Sequence, residues 1–425
     1  MKAILSYDDK PKLVPSIIFA IQHILAAFNG IIAVPLIVGG ALALSTEDLS
    51  YYISCTIFSA GIATCIQAFG IWKIGAKMPV IMGTDFTFVG PSISVGKRFG
   101  LAGIFTATAI GGISEIIYSR FIEKIKKLFP PLVSSIVVSL IGLTLIPVSI
   151  DWACGGVGSV DYASIENLSL AAFTATIIII FHIFGGKKLS TVSVFIGMVS
   201  GYILSILLGK VTFHEVIKAS IINIPEPFHF GIKFDLRILP PFLIAYLVTT
   251  IETIGDLTAI AEVSGKEIKK EELERGVLAD GVGSTIGGIF NAGANTSFSQ
   301  NVGIIPITGI ASRFVVGVAG IILIILGLFP KLSTVIALMP QPVLGGAGII
   351  MFGMVAGAGI MNLKNVKMNS RNLLIIALSF GLGLGVVMRP EILKNFPETL
   401  KILFSSGITT GTLTAIILNL ILPEK

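Results

Sequence analysis

Apolar segments long enough to cross a lipid bilayer recur along the whole chain, and they limit its possible folds more than any other feature. About 20 apolar residues span a bilayer as a helix. Only 13% of the 425 residues are charged, whereas soluble domains carry about 25%. We therefore expect an all-α, polytopic membrane protein. Twelve full crossings are predicted, at 13–38, 50–72, 101–120, 129–149, 167–186, 189–209, 239–264, 274–292, 312–329, 332–356, 372–389 and 399–422.

Two further segments, 79–96 and 293–309, are too short, too polar and too rich in Gly and Pro to cross as ordinary helices. Each is predicted to be a strand that leads into a half helix. Lipid cannot satisfy the N–H and C=O groups of irregular backbone, so such segments must be buried in protein or line a cavity. Counting them gives fourteen segments, seven on each side of a linker at 210–238.

The two broken segments resemble each other in sequence. TDFTFVG (84–90) and TSFSQNVG (296–303) share a Thr, a Phe two residues later and a closing Val-Gly, with one residue inserted. Each falls third in its set of seven, and a repeat with an odd number of segments is inverted across the membrane. Paired interrupted segments in two halves are the best sequence indication of a transporter's binding site.

The distribution of basic residues predicts the orientation. With the N-terminus inside, about twenty of the 30 Lys and Arg residues lie on the cytoplasmic side. Short cytoplasmic loops of membrane proteins usually carry such an excess of Lys and Arg. Both termini are therefore predicted to be cytoplasmic, in a multi-pass protein of the cell membrane. The net charge of +6 comes from these short loops, so nucleic acid is a poor candidate partner.

Acidic residues within the predicted spans are functional candidates, because a charge at mid-bilayer costs roughly 2.5–3.5 kcal/mol even on the most lenient scale. Glu252 and Asp256 are four residues apart, so both face one side of a helix and can reach one cavity. The alternative for each is a structural bond to a neighbouring span. For Asp280 a proton relay and a structural brace are equally open, and for Glu115 we favour simple packing.

Polar and aromatic residues near the broken segments are further candidates. His23, in the first span, either satisfies a neighbour by hydrogen bonding or orients the site. Phe86 is either core or a flat surface for a flat ligand. Gln300 and Asn301 offer donors and acceptors beside the free N–H groups at the start of a half helix. Such a site suits a neutral or weakly acidic planar molecule better than a metal ion or a phosphate, and no cofactor or metal is predicted.

The energy source and the absence of catalysis are inferred from missing motifs. No GxxxxGK phosphate loop occurs, and GLGLG (381–385) lies in an apolar span without a preceding strand, which favours close helix packing. Transport must then be driven by an ion gradient, with protons as the simplest coupling ion and sodium as the alternative. Glu252 and Asp256 could imitate an acid–base pair, but no nucleophile or metal cluster accompanies them, so an enzyme is not expected.

Six motifs in the expected order resemble those of the nucleobase–ascorbate transporters, the second type of nucleobase:cation symporter. The resemblance covers nearly the whole chain, and its signature is a Gln-Asn-x-Gly stretch followed by four residues and then a Thr. The matching motifs are QH (22–23), GTDFTFVGP (83–91), IETIGDLTA (251–259), ADGVGSTIGG (279–288), QNVGIIPITG (300–309) and PQPVLGGAGIIMFG (340–353).

This resemblance implies an architecture and an assembly. Fourteen segments would form two inverted sevens, with short antiparallel strands from segments 3 and 10 meeting at the midplane. A core domain would comprise about 13–120 and 239–329, and a gate domain about 129–209 and 332–422. Relatives suggest a homodimer that associates through the gate domain.

The resemblance also implies roles for individual residues. Glu252 would accept hydrogen bonds from ring N–H groups, and Gln300 would read an adjacent carbonyl and N–H. Phe86 would stack on the base, with Ser299 and Gly30 lining the pocket.

Four more residues would support transport. Asn301 and Asp280 match positions important for transport, and Asp256 is expected to influence proton coupling or affinity. His23 would be a polar brace to the first broken segment.

The predicted substrate is an oxidised purine of the xanthine or uric acid type. Gln300, Asp256 and Gly309 match purine permeases, whereas uracil permeases typically have Glu, His and Arg there. A uracil or other nucleobase permease is the alternative within the family, and an anion transporter of the sulfate or bicarbonate type is the alternative outside it. Asp85 departs from the family pattern, since many relatives have a small or hydroxyl residue there.

Overall fold

The chain is helical apart from two very short strands. A computed structural model describes residues 5–423, except for the side chains of Lys188, Gln300, Asn301 and Val302. The elements of the first half are α1 (Leu13–Ala41), α2 (Thr46–Phe69), β1 (Met82–Thr84), α3 (Val89–Tyr118), α4 (Ile122–Leu128), α5 (Pro131–Ala153), α6 (Ile165–Phe184), α7 (Gly186–Thr191), α8 (Ser193–Leu207) and α9 (His214–Lys218).

The second half repeats the same kind of arrangement, with one strand leading into a short helix. Its elements are α10 (Leu239–Val263), α11 (Lys270–Ile289), β2 (Asn295–Ser297), α12 (Gln300–Thr308), α13 (Arg313–Gly327), α14 (Pro330–Ala337), α15 (Gln341–Asn362), α16 (Ser370–Met388), α17 (Glu398–Phe404) and α18 (Gly407–Ile421).

Serine residues fix the start of several helices. The hydroxyl oxygen of Ser45 accepts a hydrogen bond from the amide of Asp48, and Ser312 does the same for Val315. A side-chain oxygen at this position satisfies a backbone N–H that has no partner within the helix. The chain therefore enters α2 and α13 at defined residues, with acidic residues in the first turn of α2.

The structure confirms a polytopic helical protein, and it revises individual spans. In the described part of the chain, eight helices are long and apolar enough to cross a membrane, or up to ten if each of two bent pairs counts as one span. The number fourteen therefore stays a prediction. The span predicted at 189–209 is the shorter helix α8.

Two predicted spans were wrong in shape. The span predicted at 332–356 is divided, since α14 ends at Ala337 and α15 begins at Gln341. The 82° bend between α13 and α14 lies at the boundary predicted between 329 and 332. The span predicted at 399–422 consists of α17 and α18, which meet at 89°. Neither of the two unpredicted breaks contains a charged residue, so hydropathy alone shows a continuous segment.

Helices of the first half pack tightly against helices of the second half at glycines. A Cβ added at Gly61 in α2 would lie 2.6 Å from the carbonyl oxygen of Gly320 in α13. A Cβ added at Gly112 in α3 would lie 2.8 Å from the carbonyl oxygen of Gly281 in α11. Small residues permit this close backbone approach within membranes. The α2–α13 and α3–α11 pairs thus hold the two halves together around the strands.

Candidate functional site

The two strands form an antiparallel ladder in the middle of the fold. Met82 pairs with Ser297, Gly83 with Thr296 and Thr84 with Asn295. This confirms the short strand predicted in each broken segment. The predicted half helix is the nine-residue α12 after β2, and after β1 it is the part of α3 that precedes the non-helical Gly100. One strand alone would leave N–H and C=O groups unpaired at membrane depth, so the pairing makes both interruptions tolerable.

The first strand is anchored to α1 at a carbonyl group that a proline has released. Pro35 lacks an N–H, so the carbonyl of Ile31, four residues earlier, has no partner within the helix. The hydroxyl of Thr84 donates a hydrogen bond to this Ile31 oxygen at 2.9 Å. The amide of Met82 in turn donates to the hydroxyl of Thr64 in α2 at 2.9 Å. Strand β1 is therefore held from both neighbouring helices.

The second strand is anchored to α11 and α10. The hydroxyl of Ser284 donates to the carbonyl of Asn295 at 3.1 Å and accepts from its amide at 2.9 Å. In α10 the hydroxyl of Thr249 donates to that of Thr296 at 2.9 Å. These contacts fix the position at which α12 begins.

A cavity of about 460 Å³ lies against the ladder, and four of the nine predicted site residues line it, namely Phe86, Glu252, Asp256 and Ser299. Pockets for small organic ligands usually measure about 300–1,000 Å³, so its size suits one. Helices α5 and α15 close the opposite side. The lining comprises Thr84, Asp85, Phe86, Phe129, Ser134, Val137, Val138, Ile141, Val248, Ile251, Glu252, Gly255, Asp256, Thr296, Ser297, Phe298, Ser299, Val355 and Asn362.

Glu252 and Asp256 both line this cavity, as their spacing on a helix predicts. The hydroxyl of Thr87 donates a hydrogen bond to Glu252 Oε2 at 3.4 Å. Both carboxyl groups are half-buried, so they remain open to a ligand in the cavity. None of the described lining residues is Lys, Arg or His. The carboxyl groups are hydrogen-bond acceptors when ionised, and the hydroxyls and the Asn362 amide can both donate and accept.

Asp280 does not line the cavity but lies fully buried behind β2. Its carboxylate accepts hydrogen bonds from the hydroxyls of Thr253 and Ser297 and from the side-chain amide of Gln67 at 3.4 Å. The side-chain oxygen of Gln67 also accepts a hydrogen bond from the backbone amide of Ala76 at 2.8 Å. This geometry joins α2, α10, α11 and β2 at one carboxylate, as a structural brace would. Buried Glu115 likewise accepts from Thr250 and lies away from the lining.

Phe86 and Ser299 line the cavity, whereas Gly30 acts one layer behind it. The ring of Phe86 meets that of Phe352 edge to face, with centroids 5.2 Å apart. A Cβ added at Gly30 would lie 2.8 Å from Cε2 of Phe298. Phe298 itself lines the cavity, so the absent side chain of Gly30 makes room for this ring.

His23 is buried in α1 and hydrogen-bonds the backbone of Ile310, just after α12. It therefore contacts the second broken segment, whereas the sequence suggested the first. Gln300 and Asn301 begin α12 next to Ser299. Their side chains lie outside the described part of the structure, so their predicted roles stay predictions.

Three residues of the site were missed at the sequence level, namely Thr87, Phe298 and Gln67. Phe298 ends the Thr-x-Phe pattern of the second broken segment, which could have pointed to it, whereas Thr87 lies one residue beyond that pattern in the first segment. Gln67 lies within an apolar span, and a buried amide at that depth must find partners. A Gln in an otherwise apolar span was therefore the sequence feature that could have identified Gln67 as a site residue.

The chain matches a protein-family model and named relatives over most of its length. The family model Xan_ur_permease, described as "Permease family", matches residues 15–392. The chain is 51% identical over 418 residues to "Putative purine permease CPE0397" of Clostridium perfringens, covering 98% of this chain and 92% of that protein. It is 39% identical over 403 residues to "Xanthine permease" of Bacillus subtilis, covering 94% and 92%.

A solved structure shares the fold at low sequence identity. The transmembrane domain of the cyanobacterial bicarbonate transporter BicA superposes with a TM-score of 0.63 at 17% identity, covering 94% of this chain and 99% of that one. The two chains therefore share an overall fold. Together with the family match, these similarities show that the chain belongs to the nucleobase–ascorbate transporter family and is a multi-pass membrane permease for nucleobases.

Proposed function

We propose that this permease imports an oxidised purine of the xanthine or uric acid type by proton symport. The observation that carries the proposal is the position of Glu252. Its carboxylate faces a cavity of about 460 Å³ that abuts both interrupted segments. A carboxylate accepts two hydrogen bonds side by side, which suits adjacent N–H groups on the edge of a heterocycle.

The remaining lining fits a flat molecule with one polar edge. Phe86 and Phe298 supply aromatic surface on the strand side, and Val137 and Ile141 supply aliphatic surface on α5. A few convergent polar groups in a mainly apolar pocket fix a ligand's orientation. We assign Glu252 and Gln300 to the polar edge of the base, Phe86 to stacking, and Ser299 to the pocket wall.

Purine is favoured over uracil by the relatives and by the sequence. The clostridial relative is named as a purine permease and the Bacillus relative as a xanthine permease. Gln300 and Asp256 match the purine pattern inferred from the sequence. A uracil permease remains the alternative within the family, and it would require the cavity to hold the smaller ring with the same two polar residues.

An anion transporter is the alternative from another class, because BicA has the same fold. The cavity argues against it. Three carboxyl groups line it, those of Asp85, Glu252 and Asp256, and no basic side chain occurs among its described lining residues. An anion bound there would face like charges, which raises its energy unless cations compensate.

The arrangement also supports a division into a moving core and a static gate. On one side of the cavity are the two strands and α10, which belong to the proposed core (13–120 and 239–329). On the other side are α5 and α15, which belong to the proposed gate (129–209 and 332–422). Rocking of one unit against the other would expose the site alternately to the two sides. We further propose cytoplasmic termini and a homodimer through the gate.

Uptake of labelled xanthine into cells that lack their own purine permeases tests the proposal. Unlabelled uric acid should compete more effectively than uracil or ascorbate, with guanine as a further comparison. A protonophore should abolish accumulation, whereas removal of sodium should leave it unchanged. Preferential competition by uracil would contradict the purine assignment, and resistance to the protonophore would contradict proton coupling.

A further inference from the structure

Asp85 is a buried carboxylate at the junction of β1 and α3, and one of its oxygens has no partner. It is 5% exposed and lines the cavity. Its Oδ1 accepts a hydrogen bond from the amide of Thr87 at 2.8 Å, which caps the turn that leads into α3. Its Oδ2 makes no hydrogen bond of regular geometry to the described protein atoms, although the side chains of Thr249 and Glu252 lie beside the carboxyl group.

The capping role does not explain why a carboxylate is present. Ser, Thr or Asn at the same position would accept the same amide hydrogen bond. A buried, unpartnered carboxylate oxygen is costly, and the neutral capping residues would avoid that cost. The free oxygen therefore points to a role toward whatever enters the cavity.

The charged groups that face Asp85 are all acidic in the described structure. Glu252 faces it from α10, and Thr87 links the two by donating its amide to Asp85 and its hydroxyl to Glu252. The carboxyl groups of Glu115, Asp256 and Asp280 also interact electrostatically with it, and the neutral Tyr246 hydroxyl is a further titratable neighbour. No cation among the described lining residues offsets this charge.

We infer that Asp85 is a specificity-determining residue, which makes this permease favour an oxidised purine that enters neutral over one that enters as an anion. The inference rests on the proposed function and refines it. Xanthine is mainly neutral at neutral pH, whereas uric acid is mainly a monoanion. The free Asp85 oxygen can accept a hydrogen bond from a ring N–H, but it repels a ring that has lost that proton.

The expected size of the effect follows from Coulomb's law. Removing one like charge several Å from a bound anion, at an effective dielectric constant of about 20, changes binding by about tenfold or more. A variant that removes the charge and keeps the cap should therefore gain urate transport relative to xanthine. The steric difference between the two purines does not change with pH, so pH separates charge from shape.

The test measures the ratio of kcat/KM for xanthine to that for uric acid, at neutral and at mildly acidic pH. Wild type is compared with Asp85→Asn and Asp85→Ser, both of which can cap the turn. Glu123→Gln, which removes an exposed carboxylate of α4, is the control. Taking a ratio cancels any effect of pH on proton coupling that both substrates share.

In wild type and in Glu123→Gln the preference for xanthine should be strong at neutral pH and weaker at acidic pH, where more uric acid is neutral. In Asp85→Asn and Asp85→Ser the preference at neutral pH should fall about tenfold and vary less with pH. Equal ratios and equal pH dependence in all four proteins would overturn the inference, while xanthine uptake itself would still support the proposed function. Failure of wild type to transport either purine would overturn both.

If one variant does not accumulate in the membrane, the other carries the test. Binding to purified protein gives a second readout, as the shift in melting temperature that each purine produces. Urate should stabilise the Asp85 variants more than wild type at neutral pH. A larger urate shift in wild type would contradict the inference.

Discussion

The ring of Phe298 lies so close to Gly83 that a Cβ added at Gly83 would approach Phe298 Cζ to 2.5 Å. Gly83 is in β1 and Phe298 directly follows β2, so this contact joins the two interrupted segments. The same added Cβ would lie 2.8 Å from Ile31 in α1. Phe298 is thus seated between α1 and β1, and it faces the cavity with its remaining surface.

Gly83→Ala should disrupt the site. Overpacking of this kind costs about 1–3 kcal/mol, and the neighbour that must move is a residue of the cavity wall. We expect uptake to fall by at least tenfold while the protein still reaches the membrane. Gly353→Ala is the matched control, since a Cβ there meets nothing within 4 Å. Equal uptake in the two variants would contradict the assigned packing of Phe298.

Thr253→Val should lower stability through Asp280. The Thr253 hydroxyl donates to the buried Asp280 carboxylate, and removing a partner of a buried charged group costs about 1–3 kcal/mol. The melting temperature of the purified protein should fall by several degrees. Thr258→Val in the same helix removes a hydroxyl that bonds only the carbonyl of Ile254 among the described contacts, and it should change little. Similar melting temperatures would mean that Asp280 is not a brace.

The segment before α1 also forms a contact that can be tested. The amide of Leu5 donates to the carbonyl of Gly309 at 3.1 Å, and the Tyr7 hydroxyl donates to the carbonyl of Lys77 and accepts from Lys266 at 3.0 Å. Burial raises the pKa of Tyr7 above its ordinary value, although Lys266 partly opposes this. Tyr7 therefore stays neutral and can serve both partners.

Tyr7→Phe should remove both hydrogen bonds and reduce stability by about 1 kcal/mol. Faster limited proteolysis near the start of the chain and a small drop in melting temperature are expected, with uptake largely preserved. Tyr162→Phe, which removes a hydroxyl bonded to Asp151 on an exposed loop, should have less effect. An equal effect of the two variants would argue against the anchoring role.

Gln300→Glu should move substrate preference toward uracil. A carboxylate accepts only, whereas the amide both donates and accepts, so the change alters which edge of a base can be read. Competition of labelled xanthine uptake by uracil and uric acid measures the outcome. An unchanged competition profile would mean that selectivity is set by other residues.

The sequence predicted the interrupted segments because their composition conflicts with their depth. Thr84–Gly90 and the stretch after Gly293 could not cross as ordinary helices, and the structure confirms the paired strands. The sequence did not predict the breaks between Ala337 and Gln341 and before Gly407, because a short break between two apolar helices leaves average hydropathy nearly unchanged. The sequence also did not predict that Gly30 lies behind Phe298, since this contact joins residues far apart in sequence.

Candidate roles were predictable where a residue type is expensive in a membrane. Glu252 and Asp256 were identified for that reason, and their spacing placed them on one face of α10. For Asp280 the free-energy cost of a charge in the membrane does not distinguish a structural brace from a proton relay. Its hydrogen bonds with Thr253 and Gln67 favour the brace, and nothing in the sequence shows that these two residues contact Asp280.

The most direct test of the account is xanthine uptake by Glu252→Gln. The carboxylate is proposed to hold the N–H edge of the base, and hydrogen bonds to charged groups contribute about 1.5–3 kcal/mol each. Uptake should fall by about a hundredfold at unchanged membrane abundance, whereas Glu262→Gln, at an exposed position of the same helix, should transport normally. Normal xanthine uptake by Glu252→Gln would contradict the central claim.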